Sequence, residues 1–193
     1  LSVESLSTRV TFSDHFTRAD GDMDWNGMQV DTPEAKVVVG KLTGHSKKYL
    51  AAEDLWLGDD ELNLSTVSVN VSNALAGSLG GTASSSTIEE LAIFAHSEMD
   101  SSNLVKGHTT FTVKDIVVEN RSVASDFKLT IAVERLPAKP LQAITRKISE
   151  HQNRAIRSGN PRQTPDFALI QNDVAAILVA GPVLKITTLQ ANT

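Results

Sequence analysis

The sequence predicts an α+β protein, a mainly antiparallel β body followed by a helical C-terminal part. Two observations carry this. In "DFKLTIAVERL" Leu129, Ile131 and Val133 alternate with Lys128, Thr130 and Glu134, the mark of a strand with one apolar and one wet face. Past Pro137 and Pro140 the period lengthens, and Leu141, Ile144, Ile148, Gln152 and Ala155 follow helical spacing. The expected division is a β-rich body over 1–136 and a helical segment over 137–193 packed on it, one domain overall. At 193 residues with 40% hydrophobic side chains, the chain is long enough to bury a substantial core.

The elements follow in order. "STRVTF" alternates weakly and precedes an acidic turn at 20–34, and "AKVVVGKL" (35–42) reads as a buried strand. A short helix is expected through "SKKYLAAEDLWL" (46–57), halted by Gly58. In "ELNLSTVSVNV" (61–71) Leu62 and Leu64 keep one parity and Val67, Val69 and Val71 the other. That switch between Ser65 and Thr66 predicts a bulge or an edge crossing. The small-residue run from Ala74 leads to a helix expected to start near Ile88, where Ser86 with Glu89 or Thr87 with Glu90 forms a capping box. A hairpin follows, "HTTFTVKDIVVE" and "DFKLTIAVERL" about the turn "NRSVAS". Helices are expected at 141–157 and 166–179, broken by "SGNPRQTP", with a terminal strand "VLKITTLQ" after Gly181-Pro182.

The chain has no Cys, which excludes disulfides, thiolate nucleophiles and Cys-based metal sites. "LSVESLSTRVTF" lacks the basic start and apolar run of a signal peptide, and the longest apolar stretch, 175–184, is too short to span a bilayer. The expected location is a virion or the cytoplasm.

Counting from Asp22, the chain reads D-x-D-x-N-G, so Asp22, Asp24, Asn26 and Gly27 match the opening of a calcium loop. Pro33 stands where the closing acid belongs and Glu34 comes one residue late. A solvated acidic turn is therefore the leading reading, and calcium through Asp22, Asp24, Asn26 and Glu34 the sharper one; no other cofactor is expected. Gly77, Gly80 and Gly81 fit no phosphate-binding fingerprint, and the five His residues have no metal-ligand spacing. With no nucleophile elbow either, catalysis has no positive support, and the expectation is a non-enzyme.

Charge is uneven. Residues 1–62 carry twelve acids against six bases, whereas 135–162 carries seven bases against Glu150 alone. That segment is +6 in a chain of net charge −5. Lys139, Arg146, Lys147, Arg154, Arg157 and Arg162 are thus the candidate contacts, either to partner acids or to RNA or DNA phosphates without sequence readout. The leading expectation is a self-assembling structural subunit of the virion-coat type, its partner being itself as a homo-oligomer or particle. A nucleic-acid or partner-binding adaptor using the basic helix 141–157 is the alternative, and an enzyme whose site residues are scattered the third class.

Overall fold

The structure is a computed structural model that describes residues 1–72, 85–159 and 167–192. Its frame is one antiparallel sheet of eleven strands: β1 (Ser2–Val3), β2 (Leu6–Ser13), β3 (Arg18–Trp25), β4 (Met28–Asp31), β5 (Ala35–Val39), β6 (Leu42–Ala52), β7 (Leu55–Val71), β8 (Ser85–Met99), β9 (Leu104–Val118), β10 (Arg121–Pro137) and β11 (Val183–Asn192). Three pairs are interrupted single strands. Leu6 faces Trp25 while Val3 faces Met28, and Trp25 faces Leu42 while Met28 faces Val39, so the register carries straight across each break. The sheet is therefore a meander of eight tracks, each beside its neighbour in sequence.

The breaks line up. Asn26–Gly27, Gly40–Lys41, Ser65, Glu90 and Asp126 form one transverse crease, with positive φ at Gly27, Glu90 and Asp126. Gly27 has φ +102°, and a Cβ there would sit 2.2 Å from the Val39 carbonyl oxygen, so no larger residue fits without moving the next strand. The parity switch at Ser65–Thr66 falls on this crease, where the neighbour of β7 changes from β6 to β5. Tight turns fix the hairpins. Glu119 and Asn120 both have positive φ and join β9 to β10, the backbone that a two-residue primed turn requires, so the turn is not "NRSVAS": Arg121–Ser125 already belong to β10.

Helix α1 (Ala138–Arg157) leaves β10 directly, Pro137 standing at its N-cap, and α2 (Gln171–Val179) follows a 3-10 turn at Phe167–Leu169. The second helix is shorter than 166–179 because this turn takes up its start. The apolar stripe of α1 docks at one end of the sheet, where Leu55, Leu57, Val105 and Ala138 form the buried cluster with Leu136 and Leu141 against it. The chain then returns as β11 to pair with β10, which stitches the C-terminal part into the same sheet.

Three expectations are corrected. Residues 46–57 are the β6–β7 hairpin, turning at Glu53–Asp54, and not a helix; Lys48, Leu50 and Trp56 face neighbours across the ladder. Residues from Ser85 on form β8, because Ile88, Leu91 and Ile93 are paired on both sides, to β7 and to β9. Two flanking strands outweigh a local capping signal. The expected acidic turn over 20–34 is mostly strand, its first part the end of β3 and its middle β4. The small-residue loop before Ser85 lies largely outside the described residues.

Candidate functional site

Cross-strand register sorts the side chains into two faces. On one face stand Asp22, Asp24, His45, Asp59, Glu61, His96, Glu98, Lys106 and Lys128, laced by ion pairs. His45 Nδ1 meets Asp22 at 2.8 Å, Lys41 meets Asp24 at 2.7 Å, His96 Nδ1 meets Asp59 at 2.7 Å and Lys106 meets Glu98 at 2.8 Å. Lys114 pairs with Glu90, and Lys185 with Glu134. The Lys106 hydrogen bond and charge hold the Glu98 carboxyl below its ordinary value and raise the ammonium in return; Glu90 raises Lys114 in the same way. A groove of about 740 Å³ runs along the crease on this face, with Lys41, Glu90, Lys114 and Lys128 on its walls. Ion pairs already satisfy most of these charges, as on a solvated sheet face.

The opposite face is apolar. Met23, Gly44, Leu62, Ile93, Phe111 and Leu129 stand abreast in one row across six strands. Beside them runs the row Gly21, Ser46, Asp60, Ala95, Thr109 and Ile131, and beyond it Lys48, Gly58, Ser97, Gly107 and Val133. Small residues in the second and third rows sink the surface between larger neighbours. Two almost wholly apolar grooves result, of about 370 and 400 Å³, which share Asp60 and Ala95. At about 4.8 Å per strand the six strands span about 24 Å.

This face lacks a cover among the described residues. Helix α1 reaches the sheet at β7 and β10, and α2 packs on α1. At one edge Leu6 and Val10 are each 62% exposed, and at the other Leu184 is 70% and Ile186 66% exposed. Only Leu55, Leu57, Val105, Ala138 and Ala155 are buried apolar side chains among the described residues. An antiparallel sheet with one apolar and one polar face ordinarily packs the apolar one against a second layer. Both tryptophan rings lie at this face, Trp25 in register with Leu6 and Leu42, and Trp56 edge-on to Phe12 at 6.2 Å.

The residues singled out from the sequence are only partly brought together. Asp22 and Asp24 share the polar face of β3, but each is already held, by His45 and by Lys41. The Asn26 side chain donates to Ser5 Oγ at 3.1 Å. Glu34 lies beyond the far end of β4, whose last residue, Asp31, is already roughly 23 Å from Asp24 along an extended strand. The four therefore do not converge, and no group of three or more metal-ligating side chains occurs among the described residues. In α1, Lys147 pairs with Asp173 of α2 at 2.7 Å, so it docks one helix on the other. Arg154 and Arg157 line a shallow depression with Glu150 and Asn153. Lys139 and Arg146 are exposed on other turns, and Arg162 lies outside the described residues.

The chain matches, over residues 1–193, a family described as bacterial protein of unknown function, DUF945. It belongs to that family. A bacterial family does not favour a virion as the location. No helix of the described residues is long and apolar enough to cross a membrane. Neither a curated protein nor a solved structure matches the chain.

Proposed function

We propose that this domain is a binding module that holds an elongated apolar ligand, an acyl chain of a lipid, along the uncovered apolar face. One observation carries the reading: a two-faced sheet whose polar side is laced with ion pairs while its apolar side has no second layer among the described residues. The two adjoining grooves have the size and the apolar lining of ligand sites, which run from about 300 to 1,000 Å³. A chain of about fourteen methylenes lying half-buried gains about 6 kcal/mol, at about 0.8 kcal/mol per methylene. That corresponds to a dissociation constant of about 10⁻⁴ M before ordering costs. Such a site exchanges its ligand, as a carrier does.

The test uses Trp25 and Trp56 as reporters. Dodecanoate, titrated below its micelle concentration, is expected to give a saturable change in tryptophan fluorescence. Leu62→Glu and Phe111→Glu place a charge on the groove floor and are expected to abolish it. A linear, unsaturable response, or saturation that survives both substitutions, would sink the reading.

Self-assembly is the second reading, favoured by the sheet edges. β2 and β11 are free along their outer sides among the described residues, and their sequences, "LSTRVTFS" and "VLKITTLQAN", contain no Pro. Such edges invite further strands. The eight tracks are even in number, so β11 of one copy meets β2 of the next in antiparallel sense. Light scattering at increasing concentration tests this, and Val10→Pro or Thr187→Pro is expected to lower the mass if edge pairing builds the oligomer.

A further inference from the structure

Among the described residues, a charged cluster stands in the second and third rows of the apolar face. Lys48 Nζ is bonded to Asp60 Oδ2, and Ser46 donates to Asp60 Oδ1 at 2.8 Å. These three belong to the second and third rows, and Asp60 lines both apolar grooves. The Lys48 side chain is only 22% exposed. Directly across the ladder from it is Gly58, followed by Ser97 and Gly107, so no bulky side chain closes off the approach. Gly58 has φ +135°, and a Cβ there would lie 2.1 Å from the Lys47 carbonyl oxygen, so this position stays open.

The donor count is unequal. Both Asp60 oxygens are taken, one by Lys48 and one by Ser46, whose only hydroxyl hydrogen is then spent. An ammonium carries three N–H donors, and among the described residues only Asp60 accepts from Lys48. While the face is open, water can reach the other two, since the side chain is 22% exposed. A ligand that covers the face with hydrocarbon alone would strip that water and leave the donors unmade, which is costly. A ligand with an acceptor oxygen at that point would satisfy them through charge-assisted bonds.

Resting on the acyl-chain reading above, we infer that Lys48 recognises the acyl carboxyl oxygen of the ligand, with the hydrocarbon chain lying in one of the two grooves that meet at Asp60. The face then selects fatty acids or acyl esters over chains of equal length without that group.

The experiment is competition by dodecanoate, methyl dodecanoate and dodecanol against a fluorescent apolar probe, on the wild-type chain and on Lys48→Met. The acid is expected to compete about tenfold or more better than the alcohol, the factor that one charged hydrogen bond provides. Lys48→Met keeps the apolar stem, so it should erase that preference while leaving dodecanol unchanged. An ester as strong as the acid assigns recognition to the acyl oxygen, and a weak ester assigns it to the free carboxylate; either supports the inference. Because Asp60 loses its partner in Lys48→Met, the double substitution Lys48→Met/Asp60→Leu serves as the folded control. Equal competition by acid and alcohol on the wild type, or an acid preference that persists in both variants, overturns the inference while the apolar reading stands. If no probe competes at all, the apolar reading itself has failed.

Discussion

Gly58 allows the close strand contact at the centre of the sheet to be tested quantitatively. Its backbone has φ +135°, and a Cβ would lie 2.1 Å from the Lys47 carbonyl oxygen and 3.1 Å from its carbon. Gly58→Ala therefore brings two costs. Holding a non-glycine residue in that conformation costs about 1–3 kcal/mol. Relieving a contact nearly an ångström too short means spreading β6 from β7, which forfeits one or two ladder hydrogen bonds at about 1 kcal/mol each. The sum is about 2–5 kcal/mol, and at about 2–4 °C per kcal/mol for a chain of this size it lowers Tm by about 10 °C. Two substitutions separate the terms. Gly181 has φ +69° but nothing within 4 Å of an added Cβ, so Gly181→Ala carries strain alone. Gly21 has neither a positive φ nor a close contact, its nearest neighbour being Ser46 Cβ at 3.7 Å, so Gly21→Ala is expected to be neutral or slightly stabilising. Thermal melts followed by far-ultraviolet circular dichroism read all three. If Gly58→Ala melts no lower than Gly181→Ala, strand proximity contributes nothing and the reasoning fails.

Three further outcomes follow from the charged groups. Lys147→Ala is expected to lower stability by about 1–2 kcal/mol, between the values for exposed and buried pairs, since it strands a part-buried Asp173; Arg146→Ala should stay within about 0.5 kcal/mol, and equal melts for the two would contradict the docking role of Lys147. The folded Glu98 carboxyl is held below its ordinary value of 4.5, so its contribution is present above that pH and is lost as pH falls through the lowered value. Lys106 and Lys114 are raised above 10.5, so theirs is full below that pH and is lost as pH rises through the raised values. The urea midpoint should thus be flat between these limits and respond to salt at both ends, and an acid limb unchanged in Lys106→Met would argue against that pair. Chelator should leave Tm unchanged, because Asp22 and Asp24 are held by His45 and Lys41; a rise of several degrees on adding calcium would restore the metal reading.

How far the sequence revealed these features depends on the range of the forces involved. The β9–β10 hairpin and the parity switch in β7 were readable because alternation is a property of neighbouring residues. Helix α1 was readable because Pro137 and a change of period mark its start. Residues 46–57 and 88–96 misled for another reason: their helical signals are local, whereas 46–57 fold back as a hairpin with Leu50 facing Trp56, and 88–96 take their partners from β7 and β9. The acidic motif shows the ambiguity most clearly. D-x-D-x-N-G has a period of two, which an ion-binding turn and a strand share. The intervening Gly21, Met23 and Trp25 belong to the apolar face, and they were the signal that this was a strand. Lys48 and Asp60 gave no such signal, since their meeting depends on the β6–β7 register.

The division between the faces also links stability to the proposed ligand. Few side chains are fully buried in the described structure, so the chain retains less hydrophobic stabilisation than its composition offers. Whatever covers the apolar face supplies part of what an ordinary second layer would. A ligand at a hundred times its dissociation constant adds about 2.7 kcal/mol, a sizeable share of a typical folding free energy of about 5–15 kcal/mol. A layer built into the fold would make that stabilisation permanent and close the surface. Leaving it to an exchangeable molecule keeps the surface available, and the ion pairs of the other face keep that side wetted and unattractive to the same ligand. The placement of Lys48 follows the same logic: buried in a closed core it would be a liability, whereas on an open apolar face water can reach its spare donors, and the carboxyl oxygen of the proposed ligand would replace that water.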